Sequence, residues 1–363
     1  MDARLRAVKI PWKSLKWAAV LLVLALAVVG FQVLRFGGLL RTVEPAFAGV
    51  CRTIALGGSG ESIQVDRKRG IAYLSLLDRD SVRRGEPVFG TVMLLDLNLP
   101  DPAPRAALAY DPESFRPHGM SLLSITSQPA RLFVISHRRD GSNTVEITEE
   151  GSAGGFFPKE SIRSATFSHP NAIAATGARQ FYLTNNFVNL DQWGLARQAL
   201  FPAGRSTLVY FDGEKARVEV SDLNHPAGLA LSPDGSRLYV AETLARRLRV
   251  YRRDVGSGAL ELEEAIDLRE APGNLDVDDE GVVWIAAYPR LASLAAHQRD
   301  PNRRSPTQVL RFDPRSKNGE RLTEIYMNDG AAISAGSTAA PWRDEFLIGA
   351  LFDPKVLLCK LNP

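Results

Sequence analysis

A short pattern recurs six times along the chain, each time with a polar or small residue just ahead of an apolar strand. The copies read Glu61-Ser62-Ile63-Gln64-Val65, His118-Gly119-Met120-Ser121-Leu122, Asn171-Ala172-Ile173-Ala174, Ala227-Gly228-Leu229-Ala230-Leu231, Asn274-Leu275-Asp276-Val277 and, most faintly, Ser334-Ala335-Gly336. A turn and a second strand follow each copy, at 71–75, 132–136, 181–184, 238–241, 283–286 and 346–349. A spacing of about fifty residues is the length of one four-stranded blade, so the pattern predicts an all-β, six-bladed β-propeller. Radial repetition carries the same point of every blade to the central axis. Glu61, His118, Asn171 and Asn274 are therefore expected to converge, and a carboxylate, an imidazole and two carboxamides together look like a metal site with a base beside it.

The 363 residues are nearly all used by one such propeller, and 45% hydrophobic with 23% charged residues is an ordinary globular composition. A net charge of +3, with no basic stripe interleaved with aromatics on the body, argues against nucleic acid as a partner. The N-terminus is more specific. Arg4, Arg6, Lys9, Lys13 and Lys16 precede an apolar run from Trp17 to Leu34, broken only by Gly30 and Gln32. That run is long enough to cross a bilayer, with its cationic flank cytoplasmic and the propeller periplasmic or extracellular. Ala25-Leu26-Ala27 resembles a signal-peptide cleavage motif but lies inside the apolar run, which favours an uncleaved anchor. The expected organisation is a basic segment 1–16, a transmembrane helix 17–35, a linker 36–50 and a propeller 51–363.

The two cysteines, Cys51 and Cys359, stand at the two ends of the body. Free buried thiols are the plain alternative. A propeller brings its first and last strands into one blade, however, where a disulfide would close the ring and add about 4–5 kcal/mol by chain entropy. Such a bond also requires an oxidising compartment. Two segments break the strand rhythm. In 188–205, Leu190, Trp193, Ala196 and Leu200 fall at roughly helical spacing, and 288–306 begins apolar and ends in Arg299, Arg303 and Arg304. They are either lids over the site or surface loops, and the first could rest its apolar face on a membrane.

Calcium takes six to eight oxygens, and Glu61, Asn171 and Asn274 are side chains of that kind. His118 falls on the axis, and His137 closes the next strand of the same blade. A paired imidazole of this sort can activate water, one ring accepting the proton and the other relaying it. His169 and His225 each precede proline and read as structural punctuation, and His297 carries no signal. The chain has no Gly-x-Ser-x-Gly elbow, P-loop or Cys/His zinc pattern, which favours water activation over covalent catalysis.

Cys51, Gly58-Ser59-Gly60-Glu61, Phe115-Arg116-Pro117-His118-Gly119-Met120-Ser121, Val134-Ile135-Ser136-His137, Thr144-Val145-Glu146, Phe181-Tyr182-Leu183-Thr184-Asn185 and Leu231-Ser232-Pro233-Asp234-Gly235 resemble the paraoxonase/arylesterase family. So do Ala241-Glu242, Gly336-Ser337-Thr338 and the stretch from Leu347 to Cys359. The resemblance implies a six-bladed propeller with two calcium ions in its tunnel, a retained N-terminal hydrophobic segment, and hydrolysis of lactones and aryl esters. It implies His118 and His137 as the catalytic pair and Glu61, Asn171 and Asn274 as calcium ligands. The chain departs from the family at Ala227 and Gly273, where an Asn and an Asp ligand are replaced. Ser62 and Ala172 stand where the second, structural calcium has acidic ligands, and Tyr288 and Asn186 replace a histidine and an acid. The expectation is one weak calcium site, with the structural site lost. The leading function is an ester hydrolase acting on a small lactone or aryl ester, with a metal-polarised carbonyl and water activated by the histidine dyad. The alternative is a non-catalytic, membrane-tethered propeller acting as a chaperone or binding module. A gluconolactonase-like hydrolase fits the cysteine closure and the Pro-His-Gly segment less well.

Overall fold

Short runs of apolar residues separated by Asp-, Gly- and Pro-containing turns give strands rather than helices, and the computed structural model bears this out with twenty-five strands among the described residues. It describes residues 12–108, 115–125, 128–151, 154–186, 191–316 and 320–362. Arg4, Arg6, Lys9 and Leu190 lie outside them.

The strands form six antiparallel blades of four strands, the fifth of which gains a short extra edge strand, Ala46–Phe47. Their innermost strands are Ser59–Asp66, Pro117–Leu123, Pro170–Ala175, Pro226–Leu231, Ala271–Val277 and Gly336–Trp342. Each of these touches the next, and the last returns to the first, so the ring is closed. The sixth blade is completed by the N-terminal strand Gly49–Ala55, which pairs with Lys355–Leu361. Cys51 lies directly opposite Cys359 in that pairing, and the two are disulfide-bonded.

Because every blade is covered on both faces, its middle strands are apolar throughout rather than alternating; Leu132, Phe133, Val134 and Ile135 are all fully buried. Six hydrophobic clusters fill the six gaps between neighbouring blades. Tyr73, Phe115, Leu132 and Phe156 fill the gap between blades one and two. Ile63, Leu74, Trp342 and Leu358 fill the gap where blade six meets blade one. Stacked sheets of this kind hold each other at roughly 10 Å and make the ring a single cooperative core.

The helix Trp12–Phe36 carries a 21-residue span, Lys16–Phe36, of mean hydropathy 2.5, and its apolar side chains are exposed. It ends at Gly37 and Gly38. Gly38 has φ +73°, and a Cβ there would meet Pro289 O at 2.6 Å, so only glycine makes this turn. The turn docks on the propeller: Ala292 N donates to Gly37 O at 3.0 Å, Arg290 Nε donates to Arg41 O at 3.0 Å, and the Arg246 guanidinium lies over the Phe36 ring.

The two segments that break the rhythm form the helices Gln192–Leu200 and Leu291–Arg299. Their packing differs from the expected stripe. Trp193 is 85% exposed, and the buried side chains are Leu195 and Gln198. Leu195 joins Leu244, Leu291 and Leu294 in one cluster, which fixes the helix rotation; intrinsic spacing did not.

Candidate active site

Every innermost strand slips its pairing once, and the slip falls at the repeat position. The breaks lie between Gly60 and Ile63, Pro117 and Met120, Pro170 and Ile173, Pro226 and Gly228, Pro272 and Leu275, and Gly336 and Thr338. A bulge takes the extra residue out of the ladder and re-aims its side chain. Proline has no N–H to give and is tolerated at such a point, which accounts for Pro117, Pro170, Pro226 and Pro272. The same device thus turns Glu61, His118, Asn171 and Asn274 toward one end of the bore. The sixth copy needs correction. Its bulge residue is Ser337, whose hydroxyl donates to Glu61 O at 2.8 Å, whereas Ser334 binds Ser305 N at 2.8 Å away from the axis.

These residues line a cavity of about 300 Å³, joined by Asn186, His225, Thr243, Tyr288 and Gln298. Below it the bore narrows to a space of about 10 Å³ among Ile63, Met120, Ile173, Leu229 and Leu275. There the Ser62 hydroxyl accepts from Met120 N at 3.2 Å and Ala172 N donates to Thr184 Oγ1 at 3.0 Å.

Glu61 is the electrostatic centre. Its carboxylate is buried, and Oε2 lies 2.7 Å from both His118 Nδ1 and Arg79 Nη2. The Arg79 contact is a buried ion pair, and the His118 ring presents Nδ1 to the same oxygen. Burial pushes the Glu61 carboxyl up, but His118 and Arg79 outweigh it and hold it at about 2. Glu61 is therefore ionised at any physiological pH. Its backbone carbonyl accepts from Ser337 and from Thr338 Oγ1 at 2.5 Å, and Thr338 in turn accepts from Asn274 Nδ2 at 3.0 Å.

The histidine tautomers follow from their partners. His118 Nε2 is 3.1 Å from Asn171 Nδ2, an amide nitrogen that only donates, so Nε2 is bare and the ring proton sits on Nδ1, toward Glu61. Asn143 gives its amide nitrogen to Phe167 O and Ser168 O, leaving Oδ1 to accept from His137 Nδ1 at 2.8 Å. His137 too therefore has a bare Nε2. The two rings meet edge to face with centroids 4.9 Å apart. Burial, followed by the His118 charge, lowers His137 to about 4. Tyr288 is pushed above the usual phenol range by burial and the Glu61 charge, so it faces the cavity as a neutral group.

The repeat located the axial residues and the family resemblance pointed to Tyr288 and Asn186, but nothing in the sequence marked Arg79, Thr243 or Gln298, none of which lies in the repeat. His225 was legible only as a neighbour of the fourth copy. It holds a left-handed φ of 56° and lines the cavity.

The donor set does not fit a calcium ion. Glu61, Asn171 and Asn274 do face one cavity, but the single carboxylate is already neutralised by Arg79, which leaves two neutral carboxamides as the other side-chain oxygens of the expected set. Ala227 and Gly273 line the same cavity with no side-chain oxygen. Among the described residues no three His, Cys, Asp or Glu side chains cluster as metal ligands.

Human serum paraoxonase/arylesterase 1 is 26% identical over 331 residues, covering 89% of this chain and 92% of that protein. Among solved structures, a luciferin-regenerating enzyme matches with a TM-score of 0.54 at 14% identity, covering 87% of this chain and 95% of that one. Regucalcin from Agrobacterium tumefaciens, described as a calcium-binding protein, matches with a TM-score of 0.51 at 14% identity, covering 86% and 93%. At such identities the two structures speak for the propeller fold alone. The arylesterase family pattern matches residues 85–361, well over half of the sequence. With the closed six-bladed ring, the terminal disulfide and the histidine-bearing bulge, that match places the chain in the arylesterase family.

Proposed function

We propose that the protein is a membrane-anchored hydrolase of small uncharged carboxylic esters, lactones or aryl esters, with His118 as the base that activates water. One observation carries this reading: ionised Glu61 faces His118 Nδ1 at 2.7 Å, which leaves a bare Nε2 at the cavity. An imidazole oriented in this way by a carboxylate takes a proton from water as it attacks the carbonyl, and the carboxylate stabilises the imidazolium that forms. The imidazolium then returns the proton to the departing alkoxide or ring oxygen. Asn171, whose amide caps Nε2 before water takes its place, the neutral phenol of Tyr288 and the unpartnered amide of Asn186 are donors within reach of the cavity for the oxyanion. His137, held at about 4, stays neutral at physiological pH and packs against His118 as a support. The cavity of about 300 Å³ admits a small acyl group and has mostly uncharged hydrogen-bonding walls.

The apolar helix acts as a single-pass anchor with residues 1–16 cytoplasmic and the propeller from 51 onward periplasmic or extracellular, where its disulfide persists. The helix Leu291–Arg299 both contacts the end of the anchor through Ala292 and lines the cavity through Leu294 and Gln298, which brings the mouth near the membrane surface. A second reading, a tethered binding module, is favoured by the ligand positions emptied at Ala227 and Gly273.

The test is a panel of lactones and phenyl esters, with the full chain and a His118→Gln variant compared in detergent. Turnover that falls by about 10²–10⁴ in the variant supports the hydrolase. No turnover above the variant, with both proteins folded, leaves the binding module.

A further inference from the structure

We propose that Arg79 is the resident cation of this site and occupies, beside Glu61, the electrostatic role that a divalent ion would otherwise fill. Arg79 opens the short helix Arg79–Arg83 behind the second strand of blade one, where Asp78 caps the helix by accepting from Ser81 N. Its guanidinium has a built seat. Nη1 donates to Ser59 Oγ at 2.8 Å, Nη2 donates to Pro117 O at 3.2 Å, and Nη2 lies 2.7 Å from Glu61 Oε2. Acceptors from blades one and two thus fix the fork on both sides. The Arg79 side chain is only 12% exposed and that of Glu61 only 7%, so water screens the pair little.

The charge count is decisive. Glu61 is the one carboxylate among the described residues lining the cavity, and Arg79 cancels it. A divalent ion entering would meet a fixed positive charge with no second carboxylate to offset it. At the effective dielectric of a protein interior, that repulsion weakens binding by more than about tenfold. The rest of the described lining offers only neutral groups, and calcium affinity follows the number of charged ligands. Arg79 is a positioning residue: it keeps Glu61 ionised and in place, and Glu61 in turn sets the His118 proton on Nδ1. This deepens the hydrolase reading and rests on it for its significance, because it means that the base is set without an ion.

The experiment is calcium binding by equilibrium dialysis, together with thermal melts, on the full chain in detergent with EDTA or with calcium at about 1 mM, the affinity range of weak extracellular calcium modules. The wild type is expected to hold far less than one equivalent and to melt at the same temperature in both buffers. Arg79→Met is expected to bind calcium at least about tenfold more tightly than the wild type and to melt higher with calcium. Arg79→Lys, which keeps the charge, is expected to behave as the wild type, and Glu61→Gln/Arg79→Met to lose the response. A purely structural arginine predicts an Arg79→Met variant that melts lower and ignores calcium, which would overturn the proposal. So would one equivalent of calcium on the wild type, a result that needs no variant to fold. No arm reads hydrolysis, so a protein that passes these tests yet cleaves no ester sinks only the hydrolase reading.

Discussion

The Glu61–Arg79 pair should show itself as a coupling energy in folding. At 2.7 Å and an effective dielectric of about 20, Coulomb's law gives roughly 6 kcal/mol of attraction, a ceiling that the desolvation of both groups reduces. Removing one partner of a buried pair costs about 3–5 kcal/mol because the other is stranded. Glu61→Gln should lie at the upper end, since Arg79 then keeps only the neutral acceptors Ser59 Oγ and Pro117 O. Arg79→Met should lie at the lower end, since Glu61 still faces His118. The double variant strands nothing, so it should cost less than the sum of the singles by about 2 kcal/mol or more. Urea unfolding of the full chain in detergent with EDTA measures this, followed by tryptophan fluorescence, for which buried Trp284 and Trp342 are reporters inside the ring. Costs that add to within about 0.5 kcal/mol would refute the idea that the two charges hold each other.

Further outcomes follow from the same geometry. His137 titrates near 4 when folded and near 6.5 when unfolded, so its contribution is complete above pH 6.5 and is lost as pH falls toward 4. That amounts to at most about 3 kcal/mol, discounted for a ring that is partly exposed to the cavity, and a His137→Gln variant should lose that part of the acid slope in pH-dependent urea unfolding. Replacing both Cys51 and Cys359 by Ser opens a loop spanning a sequence separation of 308 and should cost about 5–6 kcal/mol by chain entropy, with amide exchange rising first in Gly49–Ala55. Gly119→Ala would place a Cβ 2.2 Å from Asn171 O, forcing blades two and three apart at the site, and should lower stability by about 1–3 kcal/mol in the same urea assay.

The ring was legible because its signal is periodic. Four polar residues recur in register ahead of apolar strands, and proline marks the bulge in four of them. The sixth copy was placed three residues early, at Ser334 instead of Ser337, because neither a proline nor a large polar side chain marks the bulge of its strand, Gly336–Trp342. Glu61 read as a free ligand because its partner comes from an off-repeat turn; nothing in the spacing of Arg79 announces that it folds back on the first strand. The histidine pair was legible as neighbours, but the proton positions were not, since the His137 tautomer depends on how Asn143 is oriented by the carbonyls of Phe167 and Ser168, further along the chain. The helix Gln192–Leu200 buries Leu195 rather than Trp193 because a tertiary cluster, and not its own pattern, sets its rotation. The disulfide was legible because closing a propeller leaves one place for two terminal cysteines to meet.

If His118, set by Glu61, takes the proton from water while His137 only supports it, losing the one ring must cost far more than losing the other. Steady-state turnover of one cleaved ester or lactone by His118→Gln and His137→Gln, both in the full chain, tests it most directly. The expected fall in kcat/KM is about 10²–10⁴ for His118→Gln and less than about tenfold for His137→Gln. Equal losses, or the larger loss at His137, would contradict it.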